Sequence, residues 1–330
     1  MKCIVTGGAG FIGAHVAHHL AQRGDVPILY DANPHQGILE RVIPEGIRET
    51  LRSEQGSVND LPRLMSLASS EGVDAIVHLA ALQIPASQAN PWIAVQVNCD
   101  GMTNILELAK LLHIRRVVWA SSIAVFGPRG EHAEGPIAND ACQRPNTVYG
   151  GCKSLCEVLA RHYYETRGVD SIGFRFTGVY GLGRNRGKTS FTTVMVEKAV
   201  RGEPYTVPFA TDLYDWQYVD DVAEVILKAL DAPSTMTRVF NTQGDVRPVY
   251  EGVEYLKTLV PEAELSTEPG EVGIAWEYDT APLREELGFV PRHTMEMGIL
   301  KTLNAIRGEE GLPPIETPVG GSNGGGEATK

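Results

Sequence analysis

The chain has 330 residues, of which 43% are hydrophobic and 21% are charged, and its formal net charge at pH 7 is -12. This length predicts one large domain with a smaller satellite domain. The acidic balance argues against nucleic acid or an anionic membrane surface as a partner, and no apolar run reaches the roughly 18 residues of a membrane helix. We therefore expect a cytoplasmic protein. Five cysteines without paired metal spacing fit the same reducing compartment.

The first half of the chain alternates between strand and helix patterns. Strands are expected at residues 2–6, 26–31, 75–79, 116–121 and 171–176, and helices near residues 12–23, 91–112 and 147–167. Such alternation predicts an α/β fold in which helices cover a doubly wound parallel sheet, the Rossmann arrangement.

The second half has a looser rhythm. Residues 177–188 form an irregular loop that we place on the substrate side, and a strand and helix at 216–226 are expected to return to the core. We predict a sheet domain over residues 1–176 plus 214–243, a smaller α/β substrate-binding lid domain over 177–213 plus 244–312, and a disordered, glycine-rich tail at 313–330.

A glycine-rich turn lies between the first strand and the first helix, in the run GGAGFIG at residues 7–13. Gly7, Gly10 and Gly13 would permit a tight turn, close approach of a pyrophosphate and dense helix packing, and Phe11 and Ile12 open the helix whose N-terminus attracts an anion. A tight turn without any ligand is the alternative.

Asp31 ends the second strand, eighteen positions after Gly13. Its carboxylate would accept hydrogen bonds from an adenosine ribose and repel a 2′-phosphate. The pattern therefore predicts NAD rather than NADP, and we assign the sheet domain as the NAD-binding domain. After a later strand, Leu79, Ala80 and Ala81 would let the dinucleotide lie against the backbone, although simple strand packing explains them as well.

Tyr149 and Lys153 are four residues apart on a predicted helix, and Ser122 lies upstream at the end of a strand. Positions i and i+4 share a helix face, so the Lys153 ammonium would favour the Tyr149 phenolate, a usable general base. The same spacing occurs by chance on many helices. Its position after a nucleotide turn and a serine strand favours the catalytic interpretation.

At this point the chain resembles the extended short-chain dehydrogenase/reductase family, also described as NAD-dependent epimerases and dehydratases. The resemblance runs from residue 1 to about residue 307. Beyond the residues above, it rests on HLAA at 78–81, Asn98, SSIAVFG at 121–127, RFTGVYG at 175–181 and YVDDVA at 218–223. One departure is Ser57, where relatives usually place an aspartate that holds adenine.

The resemblance implies a chemistry for these residues. Tyr149 would take the proton of a substrate hydroxyl while a hydride leaves the same carbon for the nicotinamide, and Ser122 would orient that oxygen. Lys153 would hydrogen-bond the nicotinamide ribose, and Asn98 would brace the site through its helix. The resemblance also implies a homodimer formed through helices like the one that carries Tyr149.

Residues near the serine and in the lid distinguish the reactions of this family. Dehydratases carry an Asp-Glu pair where this chain has Ile123 and Ala124, which cannot transfer protons, so dehydration is not expected. Nucleotide-sugar epimerases usually place an arginine at the position of Tyr214, and here Glu268 adds a negative charge near a second phosphate-binding position. A diphosphate would be held poorly without these guanidinium donors. An epimerase resembling UDP-glucose 4-epimerase is therefore ranked second and kept as the alternative.

Local resemblance is closest to the threonine dehydrogenases of the family, in residues 121–128, 145–149 and 79–82. The chain departs from them at Thr177 and Gly178, where they have Pro-Gly, so threonine itself is not implied. We predict an NAD-dependent oxidoreductase acting on a secondary alcohol or ketone of a small polar substrate, such as a hydroxy acid, amino alcohol acid or sugar acid. An NAD-binding regulator without turnover is a further alternative.

The expected substrate contacts are less sharply defined. Besides Ser122, the candidates are Gln83, Thr177 and Arg186, with Ser87 and Thr192 as weaker ones. Arg186 belongs to a cluster with Arg184 and Lys188, which would bind a carboxylate or else form an exposed basic loop. No metal is expected, because His15, His18 and His19 fall on what the pattern predicts to be the wet flank of the first helix.

Overall fold

The computed structural model describes residues 1–34, 37–273 and 277–316. The strands of these residues are β1 (Lys2–Thr6), β2 (Val26–Asp31), β3 (Arg52–Gln55), β4 (Ala75–His78), β5 (Arg116–Ser122), β6 (Ser171–Phe176), β7 (Val179–Tyr180), β8 (Tyr205–Val207), β9 (Leu213–Tyr218), β10 (Val239–Asn241), β11 (Asp245–Pro248) and β12 (Leu265–Thr267). Seven of them form one parallel sheet in the order β10-β6-β5-β4-β1-β2-β3. The strand order reverses beside β1, as in the doubly wound fold that was predicted.

Apolar residues fill both faces of this sheet. Along β1, Cys3 and Val5 pack with α1 (Phe11–Gln22) and α10 (Val219–Asp231) on one face, whereas Ile4 packs with α4 (Leu61–Glu71), α7 (Gly101–Leu111) and α8 (Val148–Arg167) on the other. All three β1 side chains are fully buried. A strand buried on both faces reads as a continuous apolar run, which is why β1 was recognisable in the sequence.

The remaining α-helices of the described residues surround these elements. They are α2 (Ile38–Val42), α3 (Glu45–Arg48), α5 (Ile84–Ala89), α6 (Pro91–Val95), α9 (Phe191–Arg201), α11 (Val249–Leu259), α12 (Ala281–Leu287) and α13 (Met295–Glu309). None of the helices in the described part of the chain is long and apolar enough to cross a membrane.

The strands β7, β9 and β11 form a separate three-stranded sheet, and β8 pairs with β12. The strand and helix expected at residues 216–226 return to the core, where Trp216, Tyr218 and Val219 are buried. Only that helix, α10, packs against the main sheet and α1, while β9 pairs in the small sheet. The buried aromatic rings of Tyr214 and Trp216 explain this placement, because they pack edge to face with each other and with Phe191 and Tyr180 of the substrate side.

The helix predicted over residues 91–112 is not continuous. A π-helical segment at Gln96–Asp100 separates α6 from α7, and Asn98 and Cys99 lie buried within it. An inserted π-turn changes which side chains face the core, and such turns are frequent at functional sites.

Two further expectations need correction. His15 is only 6% exposed and does not lie on a wet flank, because α10 and the loop around Leu182 cover it, whereas His18 and His19 are half-buried. At the other end, residues 313–316 of the predicted tail pack on α13, where the Asn304 side chain exchanges two hydrogen bonds with the Ile315 backbone. The rest of that tail lies outside the described residues.

Candidate active site

The glycine turn between β1 and α1 leaves no room for larger residues. Gly7 has a φ of +68°, and a Cβ there would lie 2.8 Å from the backbone nitrogen of Ala80. A Cβ on Gly13 would lie 2.2 Å from the carbonyl oxygen of Gly7. The turn therefore packs directly against the segment that follows β4, which brings two of the predicted cofactor-binding segments together.

The N-terminus of α1 is open to an anion. Gly10 is its N-cap, and no side chain of the described residues caps the helix. Among those residues, a Cβ on Gly10 would meet only the Gly7 carbonyl oxygen, at 3.1 Å. Helix N–H groups without a side-chain cap need an acceptor, and a pyrophosphate supplies one. Phe11 and Ile12 begin the helix, as expected. The residues present thus fit a dinucleotide.

Asp31 lies at the end of β2, beside this turn. One carboxylate oxygen accepts a hydrogen bond from the backbone N–H of Ala9 at 3.2 Å, and the other accepts one from the backbone N–H of Asn33 at 2.9 Å. The carboxylate is therefore fixed next to the glycine turn, the position in which it can accept hydrogen bonds from a ribose.

The segment after β4 is held from both sides. Leu79 and Ala80 bond through their backbone N–H groups to Thr6 of β1, at 3.1 and 3.4 Å. On the other side, Asn98 accepts from the Leu82 N–H at 2.8 Å and donates to the Leu82 carbonyl at 3.1 Å. Leu79, Ala80 and Ala81 are half-buried, so this braced segment keeps part of its surface free beside the glycine turn.

The catalytic candidates converge at the carboxyl end of β5. Ser122 is its last residue, and Tyr149 and Lys153 lie in the first two turns of α8. Gly150 allows this approach, because a Cβ there would lie 2.4 Å from the carbonyl oxygen of Ala124. The start of α8 therefore rests on the residues that follow Ser122.

The three side chains differ in their surroundings. Lys153 is 3% exposed, donates a hydrogen bond to the Ala120 carbonyl at 2.6 Å, and has its Nζ 5.7 Å from the centre of the Tyr149 ring. Tyr149 and Ser122 are half-buried, and the Ser122 hydroxyl accepts a bond from the Ala124 N–H. The arrangement places a phenol, a hydroxyl and a buried ammonium together, which are the groups that a general base needs to remove a proton from an alcohol.

A second ionisable group lies beneath the site in neutral form. His78 is buried at the end of β4 and pairs with the Thr6 hydroxyl at 2.7 Å. Burial, and secondarily the charge of Lys153, lowers the pKa of His78 to about 3. His78 therefore does not compete with Tyr149 as a second charged group.

A buried ion pair fixes α8 to the sheet. The Glu157 carboxylate accepts two bonds from the Arg175 guanidinium of β6, at 2.8 and 2.7 Å, and a third from the Ser121 hydroxyl at 2.7 Å. Both members of the pair are almost fully buried. Sequence analysis did not identify this anchor, because residues on separate elements provide it.

The expected substrate residues lie in different surroundings. Gln83 is exposed, and its side-chain oxygen would touch a Cβ on Gly187 at 2.8 Å, so it lies against the loop at 181–190. Thr177 is half-buried and donates both its N–H and its hydroxyl to Gln217 at 3.3 Å. Thr192 and Ser87 are buried and bonded to backbone carbonyls.

The three cations of the loop at 181–190 point in different directions. Arg186 is exposed, and Lys188 donates to the Val272 carbonyl at 2.7 Å. Arg184 alone turns inward, where its guanidinium lies 5.7 Å from the centre of the Phe11 ring and bonds to the Thr189 hydroxyl at 3.0 Å.

Arg184 lies within electrostatic range of Tyr149, the candidate catalytic tyrosine. Burial lowers the pKa of its guanidinium, while Tyr214 and Tyr149 act in the opposite direction. Its Nε atom is enclosed and has no hydrogen-bond partner among the described residues. Sequence analysis found the cluster but not its inward-facing member. The sequence signal of the loop's turns is its glycines, and Gly181, Gly183 and Gly187 all have positive φ.

Curated proteins of similar sequence match this chain over most of its length. Among curated proteins, an uncharacterised protein of Methanocaldococcus jannaschii is 27% identical over 317 residues, covering 91% of this chain and 94% of the relative. An uncharacterised 37.6 kDa protein of Escherichia coli O111:H- is 29% identical over 344 residues, covering 93% of this chain and 98% of its own.

Solved structures of two kinds of enzyme share the fold. A GalE-like L-threonine dehydrogenase from Cupriavidus necator, in its holo form, has a TM-score of 0.80 at 25% identity, covering 92% of this chain and 99% of its own. A UDP-glucose 4-epimerase from Thermus thermophilus, in complex with NAD, has a TM-score of 0.79 at 25% identity, covering 93% and 99%. The sequence profile of the NAD dependent epimerase/dehydratase family matches residues 3–242. The chain therefore belongs to that family, as an NAD-using enzyme of the extended short-chain dehydrogenase/reductase type.

Proposed function

We propose that this enzyme transfers a hydride between NAD and a secondary alcohol or ketone of a small polar substrate that carries a carboxylate. Hydroxy acids, amino alcohol acids and sugar acids meet this description. The observation that supports it most directly is Arg184, a cation turned into the site without a carboxylate partner among the described residues, within electrostatic range of Tyr149.

The residues of this chain divide the work of an alcohol oxidation. NAD, when bound, supplies the hydride acceptor. Tyr149 accepts the proton of the substrate hydroxyl at its phenolic oxygen, and Lys153 stabilises the phenolate. Ser122 donates a hydrogen bond that orients the substrate oxygen. Asp31 and the uncapped N-terminus of α1 would bind the ribose and pyrophosphate of the cofactor.

The two residues that follow Ser122 have no side-chain group that could donate or accept a proton. Ile123 is 3% and Ala124 7% exposed, and both pack in the short 3-10 turn at Ile123–Val125. A dehydratase needs an acid and a base at these positions, so elimination of water is not part of the proposal.

Arg184 replaces Arg186 as the proposed carboxylate partner. A guanidinium binds a carboxylate through two parallel hydrogen bonds, and the binding free energy of this pair is larger where water is excluded. Arg186 is exposed, where water screens an ion pair and leaves it little energy. We therefore expect Arg184 to select acidic substrates.

The test is a substrate panel with matched arginine variants. Purified enzyme, NAD and pairs of acids with their neutral amides are monitored by absorbance near ~340 nm, where reduced cofactor absorbs. Arg184→Gln should raise the KM for the acid about tenfold to a hundredfold and spare the amide, because each 1.4 kcal/mol of lost binding is tenfold. Arg186→Gln is the control and should change the KM about twofold at most. Equal losses on acid and amide would contradict the proposal.

Nucleotide-sugar 4-epimerisation is the second candidate. Arg184 also interacts with Tyr214, the position at which nucleotide-sugar epimerases usually carry an arginine, so the same guanidinium stands near a phosphate-binding position. Both reactions begin with the same hydride removal. Incubation with a UDP-sugar separates them: isomerised product without accumulation of reduced cofactor identifies an epimerase.

We also propose that the enzyme forms a homodimer through α6 and α8. Large apolar side chains on these neighbouring helices face solvent, with Trp92 69%, Val158 58% and Leu155 46% exposed. A patch of this kind on packed helices marks an interface. In sedimentation equilibrium, Leu155→Arg combined with Val158→Arg should convert dimer to monomer, whereas Met236→Arg, at a more exposed apolar residue elsewhere, should not. A monomeric wild-type protein would refute the interface.

A further inference from the structure

His15 links the cofactor-binding helix to the loop that carries Arg184. Its Nε2 lies 3.0 Å from the carbonyl oxygen of Leu182, 167 positions along the chain, and its Nδ1 lies 3.5 Å from a carboxylate oxygen of Asp220. Both ring nitrogens thus face oxygen acceptors. Neutral imidazole has one N–H group, so the two links form together only when the ring carries both protons.

The charged groups around His15 come from three elements. On α1 itself, His19 approaches the same Asp220 oxygen at 3.4 Å, and His18 lies beside it. From α13, Lys301 bonds to the other Asp220 oxygen at 2.8 Å. Burial opposes ionisation of Asp220, but the hydrogen bonds from His15, His19 and Lys301 outweigh it and hold the pKa of that carboxyl well below its usual value.

Beyond Lys301, a second acid and base pair completes this cluster. His293 lies 3.1 Å from the Lys301 ammonium and 2.9 Å from the Asp221 carboxylate. Because the pKa of Asp220 is lowered, its carboxylate stays charged over a wide pH range, and His15 faces a carboxylate on its Nδ1 side.

The position of the Leu182 carbonyl affects the position of Arg184, because Arg184 follows only two residues later in the same loop. Gly183 between them fits tightly, because a Cβ there would meet Ile38 at 3.1 Å and Phe11 at 3.8 Å. The Phe11 ring is packed edge to face by His15, with ring centres 5.6 Å apart, and faced by the Arg184 guanidinium. A shift of His15 is therefore transmitted to Arg184 both through the Leu182 backbone and through the Phe11 ring.

We propose that His15 is a positioning residue for substrate binding: it ties the loop at 181–190 to α1 and so holds Arg184 over the cofactor turn. This rests on the proposed role of Arg184 in binding an acidic substrate. The hydrogen bond to the Leu182 carbonyl is the link that reaches the loop, and the contact with Asp220 fixes the ring on α10. The affected quantity is substrate binding and not the hydride step.

Three variants separate this role from a merely structural one. His15→Gln keeps a donor that reaches Leu182. His15→Asn is too short to reach Leu182 while staying near Asp220. His18→Gln is the control, because it changes the same helix without touching the loop.

The first measurement needs no turnover. Hydrogen-deuterium exchange is followed in peptides covering residues 181–190 of the NADH-bound enzyme at one pH. Exchange in this loop should accelerate about tenfold in His15→Asn, since an anchoring hydrogen bond is lost, and should stay at the wild-type rate in His15→Gln and His18→Gln. Wild-type exchange in a folded His15→Asn protein overturns the proposal, whichever substrate the enzyme uses.

The second measurement uses the acidic substrate identified by the panel. His15→Asn should raise KM about tenfold to a hundredfold, as a misplaced binding group does, with kcat and NADH affinity within about threefold of wild type. His15→Gln should keep a KM close to wild type, because its amide can still donate to the Leu182 carbonyl. A wild-type KM in a folded His15→Asn protein, or a loss confined to NADH affinity, overturns the proposal. Absence of turnover in the wild type refutes the proposed function instead, and the exchange experiment still decides the role of His15.

Discussion

The carboxyl edge of the main sheet and the loop at 181–190 form the two sides of one site, but they are held in different ways. At the sheet edge, backbone packs on backbone: a Cβ on Gly7, Gly13 or Gly150 would meet main-chain atoms at 2.2 to 2.8 Å. The loop is held instead by side chains of distant segments, through His15 to Leu182 and through Lys188 to Val272. Close-packed backbone tolerates few substitutions, so the sheet edge can keep the same catalytic groups. Substitutions in the loop can change which substrate binds.

The sharpest test of the catalytic edge is Tyr149→Phe. Removing the hydroxyl should lower kcat about 10²-fold to 10⁴-fold, the usual worth of a positioned general base, with NADH affinity unchanged. Steady-state kinetics and NADH fluorescence titration measure the two quantities. Tyr250→Phe, at an exposed tyrosine of α11, serves as the control and should behave as wild type. Full activity of Tyr149→Phe would show that the proton leaves by another group.

The anchor beneath that edge is tested by Glu157→Gln. An amide in place of the carboxylate leaves the buried Arg175 charge uncompensated and puts an N–H group against its donors, which should cost about 3–5 kcal/mol of unfolding free energy. Urea unfolding monitored by circular dichroism gives this difference, provided that the m-value is unchanged. Glu165→Gln, at an exposed position of the same helix, should be nearly neutral. Equal midpoints for both variants would place the rigidity of the edge elsewhere.

On the substrate side, Asp215 should make stability depend on pH. Burial raises the pKa of this fully buried carboxyl to about 7, while the hydrogen bond from the Gly244 N–H acts against the rise. Between pH 4 and 7 the unfolded chain loses the proton that the folded protein keeps, so folding stability falls as pH rises and the cost is complete above about pH 7.

The variant Asp215→Asn removes that titration. At pH 8 it should be more stable than wild type by about 2–4 kcal/mol, since each pKa unit corresponds to about 1.4 kcal/mol, and at pH 4 the two proteins should be alike. Urea midpoints at both values decide the matter. A difference of the same size at both pH values would mean that the amide acts through packing and not through the proton.

The contrast between the two regions also separates what the sequence predicts from what it leaves open. Gly7, Asp31 and the pair Tyr149 and Lys153 are recognisable because each signal lies within one turn, one strand end or one helix face. The inward turn of Arg184 and the burial of His15 depend on contacts between segments far apart in the chain, so no local pattern distinguishes Arg184 from Arg186. The π-turn around Asn98 and the pairing of β9 in the small sheet were missed for the same reason.

The smallest expected effect belongs to the cofactor side, where Asp31→Ser should weaken the preference for NAD over NADP. The variant removes a carboxylate that would repel a 2′-phosphate, but it adds no cation to attract one, so the ratio of kcat/KM values should shift by roughly tenfold, about 1.4 kcal/mol, without inverting. The hydroxyl can still accept a bond from the Ala9 N–H, so the turn should keep its shape. A ratio unchanged from wild type would mean that a residue other than Asp31 discriminates between the cofactors. The local motifs of the sheet edge would then not be sufficient to predict which cofactor the enzyme prefers.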